Sequence, residues 1–414
     1  MQYKLKVPQQ IQTTITLPAS KSISNRALII HALAGGKVKP KNLSDCDDTE
    51  VMIRGLRDLP EVIDIKAAGT AMRFMTAYLS TTEGEHIITG TERMQQRPIA
   101  LLVDALHELG ADIEYTTLEG YPPLRIHGRK LEGGRLEIPG NVSSQYISAL
   151  LMIGPTLRNG LELRLTGDIV SRPYIDLTLH VMHEYGCQIE WTDIDTISVK
   201  PQQYADREYL IENDWSAASY WYELLAMGGN WDSEVVLPGL HNGSRQGDAS
   251  VRHMFSLLGV KTTFEERDGM EVAVLRKHDA VMPRFEYDFI NQPDLAQTLV
   301  AACCGLKIPF HFKGLASLKI KETDRIEALK TELRKLGFII HDRNDSELFW
   351  DGETCAAEYQ PVIETYDDHR MAMAFAPLAY RFPNLHINHP EVVSKSYPHF
   401  WDDLKKAGFL IAEE

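Results

Sequence analysis

Residues 321–325 read Lys-Glu-Thr-Asp-Arg, two cations and two carboxylates in five positions, just before a helical pattern over residues 326–336. On a helix, residues three and four apart share a face, so Lys321 and Arg325 are expected to point the same way with Glu322 beside Arg325. Such a knot can hold an anion next to a carboxylate that moves a proton. Alone it reads more readily as a solvated helix start with local ion pairs. Similar knots recur along the chain, each after an apolar run and a turn.

Ser20-Lys21-Ser22 and Arg26 open an apolar helix, which Ser20 or Ser22 is expected to cap. Hydroxyls, free N–H groups and cations at a helix N-terminus suit an anion. Gly69-Thr70-Ala71-Met72-Arg73 offers small residues that let backbone N–H groups approach a ligand. Arg97 precedes Pro98, which is expected in the first turn of the next helix. Ser143-Ser144-Gln145 and Ser171-Arg172-Pro173-Tyr174 stand before two further helices. Asp294 precedes the apolar run 295–306, where it reads as an N-cap or as a site carboxylate. Asp367-Asp368-His369-Arg370 and Ser394-Lys395 precede the last two helices, and a lone His369 is more often a structural hydrogen-bonder than a catalyst. Lys21, Arg26, Arg73, Arg97, Lys321, Arg325, Arg370 and Lys395 thus stand in comparable places, which a small polyanionic substrate would require. Asp294 and Glu322 are then the acid–base candidates.

The elements that carry these knots repeat. Amphipathic helices are expected at 101–109, 177–185, 251–258, 326–336 and 401–407, each ended by a Gly and followed by a short strand, at 111–115, 187–191, 260–265, 338–341 and 409–412. The glycines, Gly110, Gly186, Gly259, Gly337 and Gly408, recur at intervals of about 71–78 residues. A further copy is expected near residues 50–59, with Pro60 in the Gly position, which leaves the first unit about 25 residues short. The missing stretch is expected to remove a peripheral strand or hairpin. Residues 3–17 read as strand.

Asp plus Glu number 58 against 43 Lys plus Arg, and a formal charge of −15 argues against nonspecific binding to nucleic acid or anionic membrane. No apolar run approaches a bilayer's thickness, and Met1-Gln2-Tyr3-Lys4 opens no secretory segment, so a cytoplasmic location is expected. The five cysteines (Cys46, Cys187, Cys303, Cys304, Cys355) lack metal-ligand spacing, and Cys303-Cys304 is expected in a core.

The chain resembles the 5-enolpyruvylshikimate-3-phosphate synthases (3-phosphoshikimate 1-carboxyvinyltransferases). The resemblance rests on Ser20-Lys21-Ser22…Arg26, Gly69-Thr70-Ala71-Met72-Arg73, Lys321-Glu322-Thr323-Asp324-Arg325 and Asp368-His369-Arg370-Met371-Ala372, in that order. It implies an α/β fold, a two-domain inverse α/β barrel of six repeated units. The expected domains are residues 20–213, with the short unit, and 1–19 plus 214–414, with the active site in the cleft between them. The implied reaction joins phosphoenolpyruvate to the 5-hydroxyl of shikimate 3-phosphate and releases phosphate, in the shikimate pathway. By resemblance, Lys21, Ser22, Arg26, Ser143, Ser144, Gln145, Ser171, Tyr174, Asp294, Ser317 and Lys321 bind shikimate 3-phosphate. Lys21, Gly69, Arg97, Gln145, Arg325, Arg370 and Lys395 hold phosphoenolpyruvate. Asp294 is the implied base for the hydroxyl, and Glu322 handles the carbon-bound proton with Lys21 or His369. No metal or organic cofactor is implied, and a monomer is.

Three positions depart from the family pattern: Ala67 and Ser317 stand where Asn is usual, and Phe74 where Pro is. They bear on the geometry around Gly69 and on the response to the family's inhibitor, glyphosate. The sister enzymes acting on a UDP-amino sugar use a cysteine before the region of Arg97, and no Cys lies between Cys46 and Cys187. A noncatalytic anion-binding protein on the same fold would have little use for both Asp294 and Glu322.

Overall fold

The structure, a computed structural model, describes residues 1–228, 230–280 and 282–414. The chain divides into two compact units, Ala19–Ile211 and a larger one made of Met1–Pro18 and Glu212–Glu414. Each has its own apolar core.

The helices of the smaller unit are Lys21–Leu33 (α1), Asp47–Asp58 (α2), Gly69–Thr81 (α3), Glu92–Gln95 (α4), Ala100–Glu108 (α5), Ser144–Ile153 (α6) and Arg172–Glu184 (α7). Those of the larger are Trp215–Met227 (α8), Val251–Leu257 (α9), Ala296–Leu306 (α10), Arg325–Lys335 (α11), His369–Phe375 (α12) and Phe400–Lys406 (α13). The repeat is strand, helix, strand, helix, hairpin. In one copy Val62–Asp64 pairs in parallel with Gly84–Thr89, which pairs antiparallel with Leu124–Gly128, itself paired with Asp112–Tyr115. The other four-stranded sheets keep this spatial order. Period-2 burial explains the strands: Leu161–Thr166 buries every second residue against its helices.

The N-terminal segment completes two units of the larger domain. Gln12–Thr14 supplies the first strand beside Glu234–Pro238, and Gln2–Lys6 lies between His386–Asn388 and Leu410–Glu413. The strand expected over 3–17 is therefore two strands that serve different sheets.

The expected glycines all end helices with a positive φ: Gly110 97°, Gly186 78°, Gly259 93°, Gly337 92° and Gly408 98°. Glycine takes this conformation without the penalty a Cβ brings. In the first unit the position falls on Leu59, at φ 37°, not on Pro60, since the proline ring fixes φ near −65°. That unit keeps α1 and α2, but three residues after α2 the next unit's first strand begins, and no hairpin intervenes. Its outer side is closed by residues near the unit's end. Lys41 pairs with Leu210, and the Asp206 carboxylate accepts from the backbone N–H groups of Lys37 (2.8 Å) and Val38 (3.1 Å).

Other boundaries also shift. The strand expected at 338–341 begins only at His341, because Phe338 makes a single bridge to Thr354. Pro98 lies ahead of α5, whose cap is Ile99, instead of in its first turn. Cys303 and Cys304 are fully buried, and all five cysteines are free thiols. No helix among the described residues is long and apolar enough to cross a membrane.

Candidate functional site

In the smaller unit, Ser20 caps α1 by accepting from the Ile23 N–H. Lys21 in its first turn sits 3.0 Å from the Asp48 carboxylate at the start of α2. One turn on, Arg26 is 3 % exposed. Its guanidinium donates four hydrogen bonds, all to neutral oxygens: the Thr178 hydroxyl (2.7 Å), the Ser148 hydroxyl (3.1 Å) and the carbonyls of Ser22 (2.8 Å) and Tyr174 (3.2 Å). Phe74 lies beneath it, 5.4 Å from the ring centre. Burial pushes Arg26 down to about 10, so it is still charged at neutral pH.

Gly69 opens α3 against Arg97. A Cβ on Gly69 would stand 2.7 Å from Arg97 Nη1, so a larger residue there would push the Arg97 guanidinium aside. Arg97 is buried, and its Nε has no hydrogen-bond partner. Arg73, on α3, donates to the Gly69 carbonyl (3.1 Å) and to the Pro98 carbonyl (3.4 Å), which ties the helix start to the loop that carries Arg97. Ser143 caps α6, and Gln145 donates to the Thr70 hydroxyl at 3.0 Å. Ser144 is buried. Ser171 precedes α7 in a left-handed conformation, φ 55°. The smaller unit thus carries four of the cations, and Lys21 among them pairs with a carboxylate, Asp48.

The larger unit interleaves its charges. Asp294 contacts three cations: Arg325 Nη1 at 3.2 Å, Arg370 Nη2 at 3.2 Å and Lys321 Nζ at 3.5 Å. Glu322 bridges Arg325 (2.9 Å) and Lys395 (3.1 Å). Asp368, fully buried, takes Arg325 Nε at 2.6 Å and caps α12 by accepting from the Arg370 N–H at 2.9 Å. Arg370 also donates to the Tyr220 hydroxyl at 3.4 Å. His369 is 1 % exposed, with Nδ1 3.7 Å from Asp368. Ser317 lies half-buried in the short turn Ala316–Ile320.

Burial by itself would raise the pKa of Asp294, but Arg370, Lys321 and Arg325 together hold it well below the usual carboxylate range. Asp368, Glu322 and Asp294 hold Arg325 above the ordinary guanidinium value, against the effect of burial. Asp248 is pushed up to about 6, first by burial and then by the charge of Asp294.

Two details of the sequence reading change. Residues 321–324 are not helical: α11 starts at Arg325 with Asp324 as its cap. Lys321 and Arg325 converge through Asp294, not through helical spacing. Asp294 is not the cap of α10 either, since that position is Leu295.

A model of the EPSP synthase family (3-phosphoshikimate 1-carboxyvinyltransferase) matches residues 5–63 and 58–404. A 3-phosphoshikimate 1-carboxyvinyltransferase of Bacteroides fragilis is 61 % identical, with 99 % of each chain covered. One from Aliivibrio fischeri is 36 % identical over 96 % of this chain and 97 % of its own. The chain belongs to the EPSP synthase family. Its fold is that of a solved EPSP synthase from Acinetobacter baumannii (TM-score 0.78, 20 % identity, both chains fully covered). It is also similar to the enolpyruvyl transferase NikO from Streptomyces tendae (TM-score 0.73, 14 % identity, 99 % and 98 % covered).

Of the eight cations that mark this family member's sequence, Arg26, Arg73, Arg97, Arg325, Arg370 and Lys395 are at most 8 % exposed. Charged side chains are rarely buried to that degree unless paired or built for a ligand. Sequence reasoning missed the groups that hold them: Asp48, Ser148, Thr178 and Asp368. Asp368 left a signal as a carboxylate directly ahead of a helix. The two hydroxyls left none, being polar residues inside apolar helical runs.

Proposed function

We infer that the protein transfers the enolpyruvyl group of phosphoenolpyruvate to the 5-hydroxyl of shikimate 3-phosphate and releases phosphate. It is an enzyme of the shikimate pathway. The hydroxyl oxygen bonds to C2 of phosphoenolpyruvate while C3 takes a proton. The tetrahedral intermediate then loses phosphate from C2 and a proton from C3, which restores the double bond in the product.

Both substrates are polyanions, and the buried cations suit them. Shikimate 3-phosphate is assigned to Ser22, Arg26, Ser143, Ser144, Ser171, Tyr174, Ser317 and Lys321. Phosphoenolpyruvate is assigned to Gly69, Arg97, Arg325, Arg370 and Lys395, with Lys21 and Gln145 shared. The unsatisfied Nε of Arg97 and the neutral cradle of Arg26 support these roles, because a buried cation without a carboxylate favours an incoming anion. Glu322, held between Arg325 and Lys395, exchanges the C3 proton, with Lys21 and His369 completing the set.

The observation that carries the division of roles is Asp294 among its three cations. A carboxylate held so far below its usual range is a poor base. Phosphoenolpyruvate draws Arg325 and Arg370 to its own charges, and each cation withdrawn returns roughly 1–3 units to the pKa of Asp294. The base is thus activated by the donor that needs it. The protein acts as a cytoplasmic monomer on these small molecules alone.

The test is phosphate release from phosphoenolpyruvate with shikimate 3-phosphate or UDP-N-acetylglucosamine as acceptor. Release with shikimate 3-phosphate alone is expected. Release with the UDP-sugar alone, or with neither in folded protein, refutes the reading.

A further inference from the structure

Tyr366 and Asp367 both hold a φ of 54°, immediately before Asp368. Neither is glycine, and consecutive left-handed residues with side chains persist only where their surroundings over-determine them. One buried side chain here meets the turn at two points. Glu332, on α11 and fully buried, accepts the Tyr366 hydroxyl at 2.6 Å with Oε1. Its Oε2 accepts the Glu364 backbone N–H at 3.0 Å and faces Lys335 Nζ at 2.7 Å. Between these points Thr365 is fully buried, and its carbonyl accepts the Asp368 N–H at 2.8 Å.

The same helix begins with Arg325, which Asp368 binds through Nε. Arg325 and Glu332 lie two turns apart, so they fall near one face of α11. That face grips the turn at both ends, at Glu364–Tyr366 through Glu332 and at Asp368 through Arg325. Asp368 in turn fixes the first turn of α12, where Arg370 sits. None of Glu332, Tyr366 and Glu364 belongs to the set assigned to substrates.

We propose that Glu332 and Tyr366 are positioning residues for the donor: Glu332 holds the strained turn so that Asp368 sets Arg325 and Arg370 in the geometry that phosphoenolpyruvate requires. The proposal rests on the reading that Arg325 and Arg370 hold that substrate. A merely structural carboxylate would change stability and leave the two Michaelis constants in their ratio. A positioning one changes the constant for phosphoenolpyruvate selectively.

The experiment compares Tyr366→Phe, Glu332→Ala, Glu332→Gln and Arg370→Ala in the full chain, by phosphate release with each substrate varied. Tyr366→Phe is expected to raise KM for phosphoenolpyruvate by about 3–10-fold, less than the roughly 10–100-fold that a whole hydrogen bond to a charged group is worth, because it reaches the substrate only through Asp368. Glu332→Ala is expected to raise it by about 10-fold or more, with KM for shikimate 3-phosphate within about twofold. Glu332→Gln, which keeps an acceptor oxygen, should fall between wild type and Glu332→Ala. Should Glu332→Ala not fold, Tyr366→Phe decides. Arg370→Ala reports on the underlying reading. If it weakens phosphoenolpyruvate while Tyr366→Phe does not, the positioning proposal alone fails. If Arg370→Ala leaves KM for phosphoenolpyruvate unchanged, the site reading fails and the proposal with it. A proportional rise in both Michaelis constants for Tyr366→Phe also overturns it.

Discussion

Asp294→Asn separates the two things that Asp294 does. Asparagine keeps the shape and one acceptor oxygen but removes both the charge and the proton acceptor. Arg325, Arg370 and Lys321 now lie 3.2–3.5 Å from a neutral amide. In the wild type, phosphoenolpyruvate must draw two of these cations from a carboxylate. A hydrogen bond to a charged group contributes roughly 1.5–3 kcal/mol net, so freeing one such contact tightens the donor by roughly 10–100-fold. Turnover moves the other way: losing the base costs about 10²–10⁴-fold in kcat.

The expected signature is a tighter donor and a slower enzyme in one variant. Equilibrium dialysis of labelled phosphoenolpyruvate with the protein alone reads the first effect, and phosphate release at saturating substrates reads the second. A kcat within tenfold of wild type would refute Asp294 as the base. Weaker donor binding with near-normal kcat would make it a substrate-holding residue, and the idea of a base clamped until the donor arrives would fall.

Asp368→Asn leaves Arg325, 1 % exposed, without its closest counter-charge. Breaking a buried pair in this way costs about 3–5 kcal/mol, so the urea midpoint of the larger unit should fall by roughly 1–3 M. Of the six tryptophans only Trp191 lies outside that unit, so fluorescence reads it, and an unchanged midpoint would be inconsistent with the buried pair. Asp248 has a folded pKa of about 6, above the unfolded value of 3.8. Its folded form therefore binds more protons between those values, and stability declines as pH rises from 4 to 6. Asp248→Asn should remove about 3 kcal/mol of that decline; identical pH–stability curves for the two proteins would contradict it. Thr178→Val takes the 2.7 Å acceptor from Arg26 Nε and should raise KM for shikimate 3-phosphate about 3–10-fold, less than the whole bond is worth because Arg26 keeps the bonds to Ser22, Ser148 and Tyr174, without moving that for phosphoenolpyruvate. An equal change in both would assign Thr178 to packing.

What could be read in the sequence followed from strict local constraints. The five helix-ending glycines need a left-handed residue at a fixed place, so their spacing displays the repeat before any contact is known. The missing hairpin shows as a count of residues, for the same reason. The cations could be recognised because they cluster beside turns. Their partners could not, because the arrangement is set by tertiary pairing. Asp294 meets Lys321, Arg325 and Arg370 across three separate elements, and no local period encodes that. Helical spacing placed Lys321 beside Arg325 for the wrong reason, since the helix starts one turn later and a shared carboxylate joins them. Left-handed Tyr366 was equally hidden: nothing about a tyrosine announces a positive φ, and the buried Glu332 that bonds its hydroxyl lies 34 residues away in sequence. The charges of the site are thus written in local motifs, while their order and ionisation are written in the packing of helix starts against one another. A substitution in a motif should therefore act on chemistry or on one substrate. A substitution in a supporting residue such as Thr178 or Glu332 should act on the affinity of the one cation it holds.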